Sequence, residues 1–213
     1  MSPEHSNSIT DRQSAKAGAG ARRGRPPVRP EVVLAAADAL FADADAPDTV
    51  PMDAIAAAAG VGKGTLFRAF GSRDGLLDAL WAHKLTALRE AVEEGEAPLG
   101  PGAPSRERVV AFLDALLTFK LDNRHLIRAR EVASAGVRQS EHYKWMHGLL
   151  RNLIEDAAPG ATADDTVYAA HVLLAALHID LIEELLAAGR SPRAIRRAQA
   201  ALARAVMDDA RRR

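Results

Sequence analysis

Residues 55–70 read IAAAAGVGKGTLFRAF. Ile55 and Ala59 stand four apart, so they share the inward face of a first helix. Gly60 supplies a backbone position that can turn sharply, through the left-handed region if the turn requires it. Val61 follows as an apolar plug, and Leu66 with Phe70 gives the i, i+4 stripe of a second short helix. The outward positions are Gly62, Lys63, Gly64, Thr65, Phe67 and Arg68, which are small, hydroxylic, aromatic or cationic and never acidic. A helix led by small and basic residues is one a major groove can admit, because backbone and side chains must come close to phosphates and base edges. The stretch predicts a DNA-binding helix-turn-helix. A Gly-containing turn between two helices also occurs in ordinary helical proteins, so the flanks have to decide.

The flanks extend the pattern. Thr49, Val50, Ile55, Ala56, Ala59, Gly60, Val61, Gly62, Gly64, Thr65, Leu66, Phe67, Phe70, Ser72, Arg73, Asp74 and Leu76 fall in register with one known motif. The stretch resembles the helix-turn-helix of TetR-type bacterial regulators, specifically over residues 31–80 and only in general helical plan beyond them. Thr49 and Val50 precede Ile55 by one or two residues more than the commonest form of that motif. The resemblance implies that Lys63 and Thr65 sit at the groove, that Gly64 allows close backbone approach, and that Arg73 anchors a phosphate at the start of the next helix. Phe67 replaces the usual Tyr and lacks its hydroxyl, and Ala69 stands where His or Tyr is commoner; Arg68 and the basic residues upstream offer compensation. The GVGKGTL turn and the YKWM run at residues 143–146 resemble the SbtR-like branch of the family.

Composition agrees with an all-α fold. The chain of 213 residues is 48% hydrophobic, much of it Ala, with only two Trp, two Tyr and five Phe. Alanine is the best helix former and packs helices closely, and no run of alternating β-branched residues appears. The absence of Cys removes disulfides, thiolate nucleophiles and Cys-based zinc sites, and fits a reducing cytoplasm. Residues 1–30 lack the apolar core of a signal peptide. The longest apolar stretch, residues 167–179, contains His171 and is shorter than the roughly 20 residues of a bilayer span, so no membrane partner is expected.

Lys and Arg total 28 and so do Asp and Glu, yet the charge is unevenly placed. Between Asp11 and Glu31 lie Arg12, Lys16, Arg22, Arg23, Arg25 and Arg29, with no acid among them. Residues 54–72 carry Lys63 and Arg68, again without an acid. Attraction to phosphate is screened over roughly 8–10 Å, so local charge decides. Residues 1–29 read as a disordered basic arm. Its RRGRPP run is either a solvated tail or, like the AT-hook core it resembles, a minor-groove contact through Arg23 and Arg25.

Three regions follow: the arm at 1–29, a helix-turn-helix domain at 30–75, and a helical effector-binding and dimerisation domain at 76–213. Pro30 opens the first helix, where a missing N–H costs nothing, and Pro51 starts the helix-turn-helix. Ser72 is the expected N-cap of a long helix reaching about Glu94. Residues 95–104, with three Pro and three Gly, form a loop, and Ser105 is expected to cap the next helix. Further helices are expected over residues 122–133 and 141–157.

Residues 167–179 read as one helix that is apolar nearly all round and therefore covered on two sides. Val167, His171, Leu174, His178 and Leu181 are assigned to one face, toward a second copy of the chain. Ser191 and Pro192 open a last helix, with Ile195 and Leu202 on the same seam. The resemblance implies that these final helices build a four-helix homodimer interface. Phe112, Phe119, Trp145, Met146, Leu149 and Tyr168 are candidates for lining a small-molecule pocket; such stripes are also ordinary core.

His171 and His178 are taken as seam histidines rather than metal ligands, since neither has a carboxylate three or four residues away. His142 and His147, five apart, lie roughly 140° apart around a helix, poorly placed to share a metal. No HExxH, P-loop, GxGxxG or GxSxG pattern occurs, so no catalytic residue, metal or cofactor is expected. The sequence reads as a regulator of transcription: a homodimer binding a double-stranded DNA operator, acting as a repressor and responding to an unknown small-molecule effector. The alternative is a helical small-molecule binding or sequestering protein with weak DNA affinity.

Overall fold

The computed structural model describes residues 29–130 and 140–210. Among these residues the chain is helical, without strands. The order is α1 (Pro30–Asp43), a 3-10 turn (Pro47–Thr49), α2 (Met52–Ala58), α3 (Lys63–Phe70), α4 (Arg73–Glu93) and α5 (Ser105–Asp122). There follow α6 (Arg124–Arg130), α7 (Glu141–Ala157), α8 (Ala163–Ala175), α9 (Ile179–Ala187) and α10 (Pro192–Ala210). Pro30 occupies the first turn of α1, and the Oγ of Ser72, Ser140 and Ser191 accept from backbone N–H groups of α4, α7 and α10, as capping residues do. Ser105 does not cap. It is the first residue of α5, after Pro104 as N-cap, and its hydroxyl points at Asp156 instead.

Two apolar cores form. The first gathers Val33, Ala37 and Phe41 of α1, Ile55 of α2, Leu66 of α3, and Leu76, Leu77, Leu80, Trp81 and Leu85 of α4. Leu126 and Ala129 of α6 complete it. A division after residue 75 therefore cuts the first turn of a helix whose next three turns belong to the same core. The second core joins α5, α7, α8 and α10 through Phe112, Leu116, Leu150, Ile154, Leu173 and Met207, among others. The edge of Trp81 on Phe119, with ring centroids 4.9 Å apart, links the cores.

Asp38 of α1 adds a polar tie, accepting from Lys84 of α4 and pairing with His125 Nε2 of α6 at 2.9 Å. Burial opposes its charge, but these two partners hold its carboxyl below the ordinary aspartate value.

The expected single helix at 167–179 is corrected. α8 stops at Ala175, residues 176–178 turn, and α9 starts at Ile179. The turn swings Leu177 fully into the core, and its carbonyl accepts a 2.7 Å hydrogen bond from Lys120 Nζ of α5. The break separates His171 from His178, which pairs with Asp180 at 3.2 Å. His171 instead lies against His147 of α7, centroids 4.0 Å apart, and shares a 2.7 Å hydrogen bond with the Tyr143 hydroxyl. Leu174 and Ile195, assigned to a seam with a second copy, are 6% and 5% exposed and belong to the protomer's own core. Leu202 and Val167 are half-buried, while His171, His178 and Leu181 are exposed.

The Lys120 ammonium is deep enough that burial pulls its pKa down to about 8. The unfolded chain, with an ordinary lysine value, binds the extra proton between pH 8 and 10.5, so this group's contribution to stability rises with pH across that window. The difference in unfolding free energy between wild type and Lys120→Met, followed by urea melts from pH 7 to 10.5, is expected to move toward the wild type by up to about 3 kcal/mol. A difference independent of pH would place the ammonium in water.

Candidate nucleic-acid interface

The turn between α2 and α3 ends one helix in a left-handed glycine. Gly60 has φ +66°; its N–H donates to Ala57 O at 3.1 Å and that of Val61 to Ala56 O at 2.9 Å. These are the two bonds of a Schellman ending, and they bring Val61 onto the first core. Gly62 then caps α3 with its backbone alone. α3 buries only Leu66 and contains no acid in its eight residues. Lys63, Gly64, Phe67 and Arg68 are exposed, with Gly62 and Thr65 half-exposed. Six of the residues expected at DNA thus lie together on or beside one short projecting helix. Its N-terminus, without a side-chain cap, favours an anion.

The corner after α3 is equally determined. Gly71 has φ +75° and closes α3 through a bond to Phe67 O at 2.8 Å. Ser72 Oγ accepts from Gly75 N at 3.0 Å. A Cβ on Gly75 would lie 2.1 Å from Phe70 O, so only glycine lets α4 start this close to the end of α3. Gly75 was not among the expected site residues; the signal for it is spatial, not a motif position.

Arg73 is corrected. Its guanidinium points inward: Nη1 donates to Ala129 O of α6 at 2.7 Å and Nη2 to Pro47 O at 3.0 Å, with the Phe41 ring 5.5 Å away. Both terminal nitrogens serve the interior, so this residue positions α3 and α4 rather than reaching for phosphate. Lys63 has a partner that a window starting at residue 54 leaves out. Asp53, in the first turn of α2, pairs with its ammonium at 2.9 Å, both side chains 63% exposed. Arg23 and Arg25 lie outside the described residues.

Five of the six small-molecule candidates belong to the second core or pack against it, and none of the six lines the groove between α5 and α10. Phe112 is core and meets the edge of Trp145. Trp145 also carries Arg89 over its ring at 4.5 Å and donates to Glu93 Oε1 at 3.3 Å, so it joins α7 to α4. Met146 is buried, Leu149 and Phe119 pack at the margin of the core, and Tyr168 is 72% exposed. An open space of about 920 Å³ lies between α5 and α10. No helix among the described residues is long and apolar enough to cross a membrane.

Residues 33–80 match a family described as bacterial regulatory proteins, tetR family. The chain is also similar to a solved TetR-like transcriptional regulator from Rhodococcus sp. RHA1, at 26% identity and a TM-score of 0.55, over 85% of this chain and 96% of that one. A second Rhodococcus transcriptional regulator superposes with a TM-score of 0.62 at 17% identity, over 84% and 96%. A gamma-butyrolactone receptor described as ArpA-like superposes at 0.51 with 21% identity, over 85% and 100%. No curated protein sequence matches the chain.

An inward Arg73 makes its removal a stability defect. Arg73→Ala is expected to lower the unfolding free energy by about 2–3 kcal/mol, the scale of charged hydrogen bonds to buried carbonyls, as read by denaturant melts. Unchanged stability together with a salt slope of DNA binding reduced by about one would return Arg73 to the phosphates.

Proposed function

Because this chain belongs to the tetR family of bacterial regulatory proteins and is a DNA-binding transcriptional regulator, we propose that it works as a homodimeric repressor that leaves its operator when a small molecule binds the C-terminal helices. It acts where the DNA is, in the cytoplasm. The observation that carries this reading is the outward face of α3: an acid-free helix of which only Leu66 is buried, held at a corner that Gly60 and Gly75 determine. Lys63 and Thr65 read base edges, Gly64 admits the phosphate backbone, and Arg68 adds attraction. Gly62 opens the helix toward DNA and Phe67 gives it an apolar contact. Arg23 and Arg25 extend the contact ahead of α1.

A helix-turn-helix reads two half-sites only as a pair, about 34 Å or a multiple apart. The seam is assigned to what the protomer leaves uncovered on its last helices. Ala198, Ala201 and Ala205 form an exposed strip of small side chains on α10, and Tyr168, His171 and Leu181 are exposed on α8 and α9. Small residues let a second helix come close, and large exposed apolar groups favour cover.

Gel shifts against the protein's own upstream DNA test the DNA reading, which fails if the wild type forms no sequence-specific complex. Lys63→Ala is expected to weaken specific binding by about 1–3 kcal/mol. Asp53→Asn frees the Lys63 ammonium and is expected to tighten binding several-fold, steepening the salt dependence by about one.

Sedimentation tests the seam. Ala201→Arg puts a charge on an exposed alanine without touching the protomer core. It is expected to yield a folded monomer that no longer binds a two-half-site operator; a variant that stays dimeric would move the interface elsewhere.

A further inference from the structure

A groove of about 920 Å³ runs between α5 and α10. Its walls are built at helical spacing. Arg106, Val110 and Asp114 face it from α5, with Ala111 and Leu117, and Arg196, Ala200 and Arg204 face it from α10, with Arg197. Pro98 of the Pro- and Gly-rich loop closes one end. The volume is that of a site for a molecule of modest size, and Val110, Ala111, Leu117 and Ala200 give it an apolar floor.

The charge on the walls is unusual for a chain with equal numbers of acids and bases. Four arginines line the groove against Glu107 and Asp114. Two of the arginines are committed: Arg196 to Asp114 Oδ1 at 2.6 Å and Thr118 Oγ1 at 2.8 Å, and Arg106 to Asp208 at 2.7 Å. Arg197 and Arg204 are exposed and have no ion pair or hydrogen bond among the described residues, which leaves a cationic excess over the one remaining acid, Glu107. Seven positions apart, they stand on the same side of α10. The Arg106 guanidinium adds a second signal: its Nη1 is buried without a hydrogen-bond partner. A desolvated donor left unmade is costly, and turning Nη1 toward an anion would satisfy it while Asp208 keeps Nη2.

We infer that this groove binds an amphipathic organic anion, its aliphatic body on Val110, Ala111 and Ala200 and its carboxylate or phosphate on Arg197 and Arg204, assisted by Arg106. Of the alanines assigned to the seam, Ala198 and Ala205 lie about a quarter turn around α10 from Arg197 and Arg204, while Ala201 stands beside both arginines at helical spacing, so the seam and the groove share an edge. The inference supplies an effector class for the regulator proposed above, and rests on that reading only for its effect on DNA.

The test is calorimetry of the full chain with octanoate, octyl phosphate and 1-octanol, which share the body and differ in the head. Both anions are expected to bind, the tighter one identifying the preferred head group, and octanol at least tenfold more weakly. Arg197→Gln with Arg204→Gln, both at exposed positions, is expected to lower anion affinity at least tenfold and leave octanol unchanged. Ala200→Trp, which fills the floor, is expected to abolish binding of all three. Failure of both anions to bind, octanol binding as tightly as octanoate, or a double variant equal to wild type would overturn the inference. So would conversion of a wild-type dimer to monomer by Ala200→Trp, which would mean that a second copy fills the groove. Gel shifts separate the two readings. DNA retarded by the protein but not released by the tighter anion sinks the effector assignment and leaves the regulator; no retarded DNA sinks the regulator, while calorimetry still decides the groove.

Discussion

Three short helices ending at Phe70 leave the inner sides of Phe41, Ile55 and Leu66 in need of cover, and the cover comes from α4 and α6. A unit this small buries too little surface to stand alone. α4 supplies Leu76, Leu77, Leu80, Trp81 and Leu85, while α6 reaches back from the C-terminal half with Leu126 and Ala129. Arg73 ties this arrangement together by donating to carbonyls from both sides, Pro47 before the helix-turn-helix and Ala129 at the far end of α6. Asp38 repeats the device with Lys84 and His125. The outward face of α3 is therefore positioned by contacts it does not itself make.

This dependence explains the division of labour among the charges. Cations that face the interior or a carboxylate are spent on geometry: Arg73 on two carbonyls, Lys84 on Asp38, Arg196 on Asp114 and Thr118, and Lys120 on the carbonyl of Leu177. Arg68 on α3, and Arg197 and Arg204 on α10, have no such partners among the described residues and are exposed. Lys63 stands between these cases, paired to an exposed Asp53 in a contact that water and salt screen. A chain of zero formal charge thus presents two separate cationic surfaces of different shape, one projecting and one concave.

The alanine content shapes the C-terminal half in a similar way. Ala169 and Ala170 of α8 and Ala203 of α10 are buried in the second core, and the outward alanines of α10 leave a flat face. With few aromatic side chains to fill large gaps, packing relies on closely approaching helices. Phe112 and Trp145 form one of the few aromatic contacts there, joining α5 to α7.

Much of the helix-turn-helix is determined by sequence alone. Gly60, Val61, Leu66 and Phe70 carry a local pattern in which each residue's role follows from its neighbours, and Pro30, Ser72 and Ser191 mark helix starts because capping is a contact within one turn. The all-α fold and the outward residues of α3 follow from the same short-range logic. What only the tertiary structure decided depends on partners far along the chain. Arg73 reads as a surface cation until the carbonyl of Ala129, 56 residues later, accepts from its Nη1. Residues 167–179 read as one unbroken apolar helix, because no Gly or Pro interrupts them. α8 nonetheless stops at Ala175, the Leu177 carbonyl at the turn accepts from Lys120 of α5, and Leu174, on the buried face of α8, packs in the second core. The groove between α5 and α10 was invisible for the same reason: its arginines are scattered across two helices some 80 residues apart, and only packing brings them onto one surface.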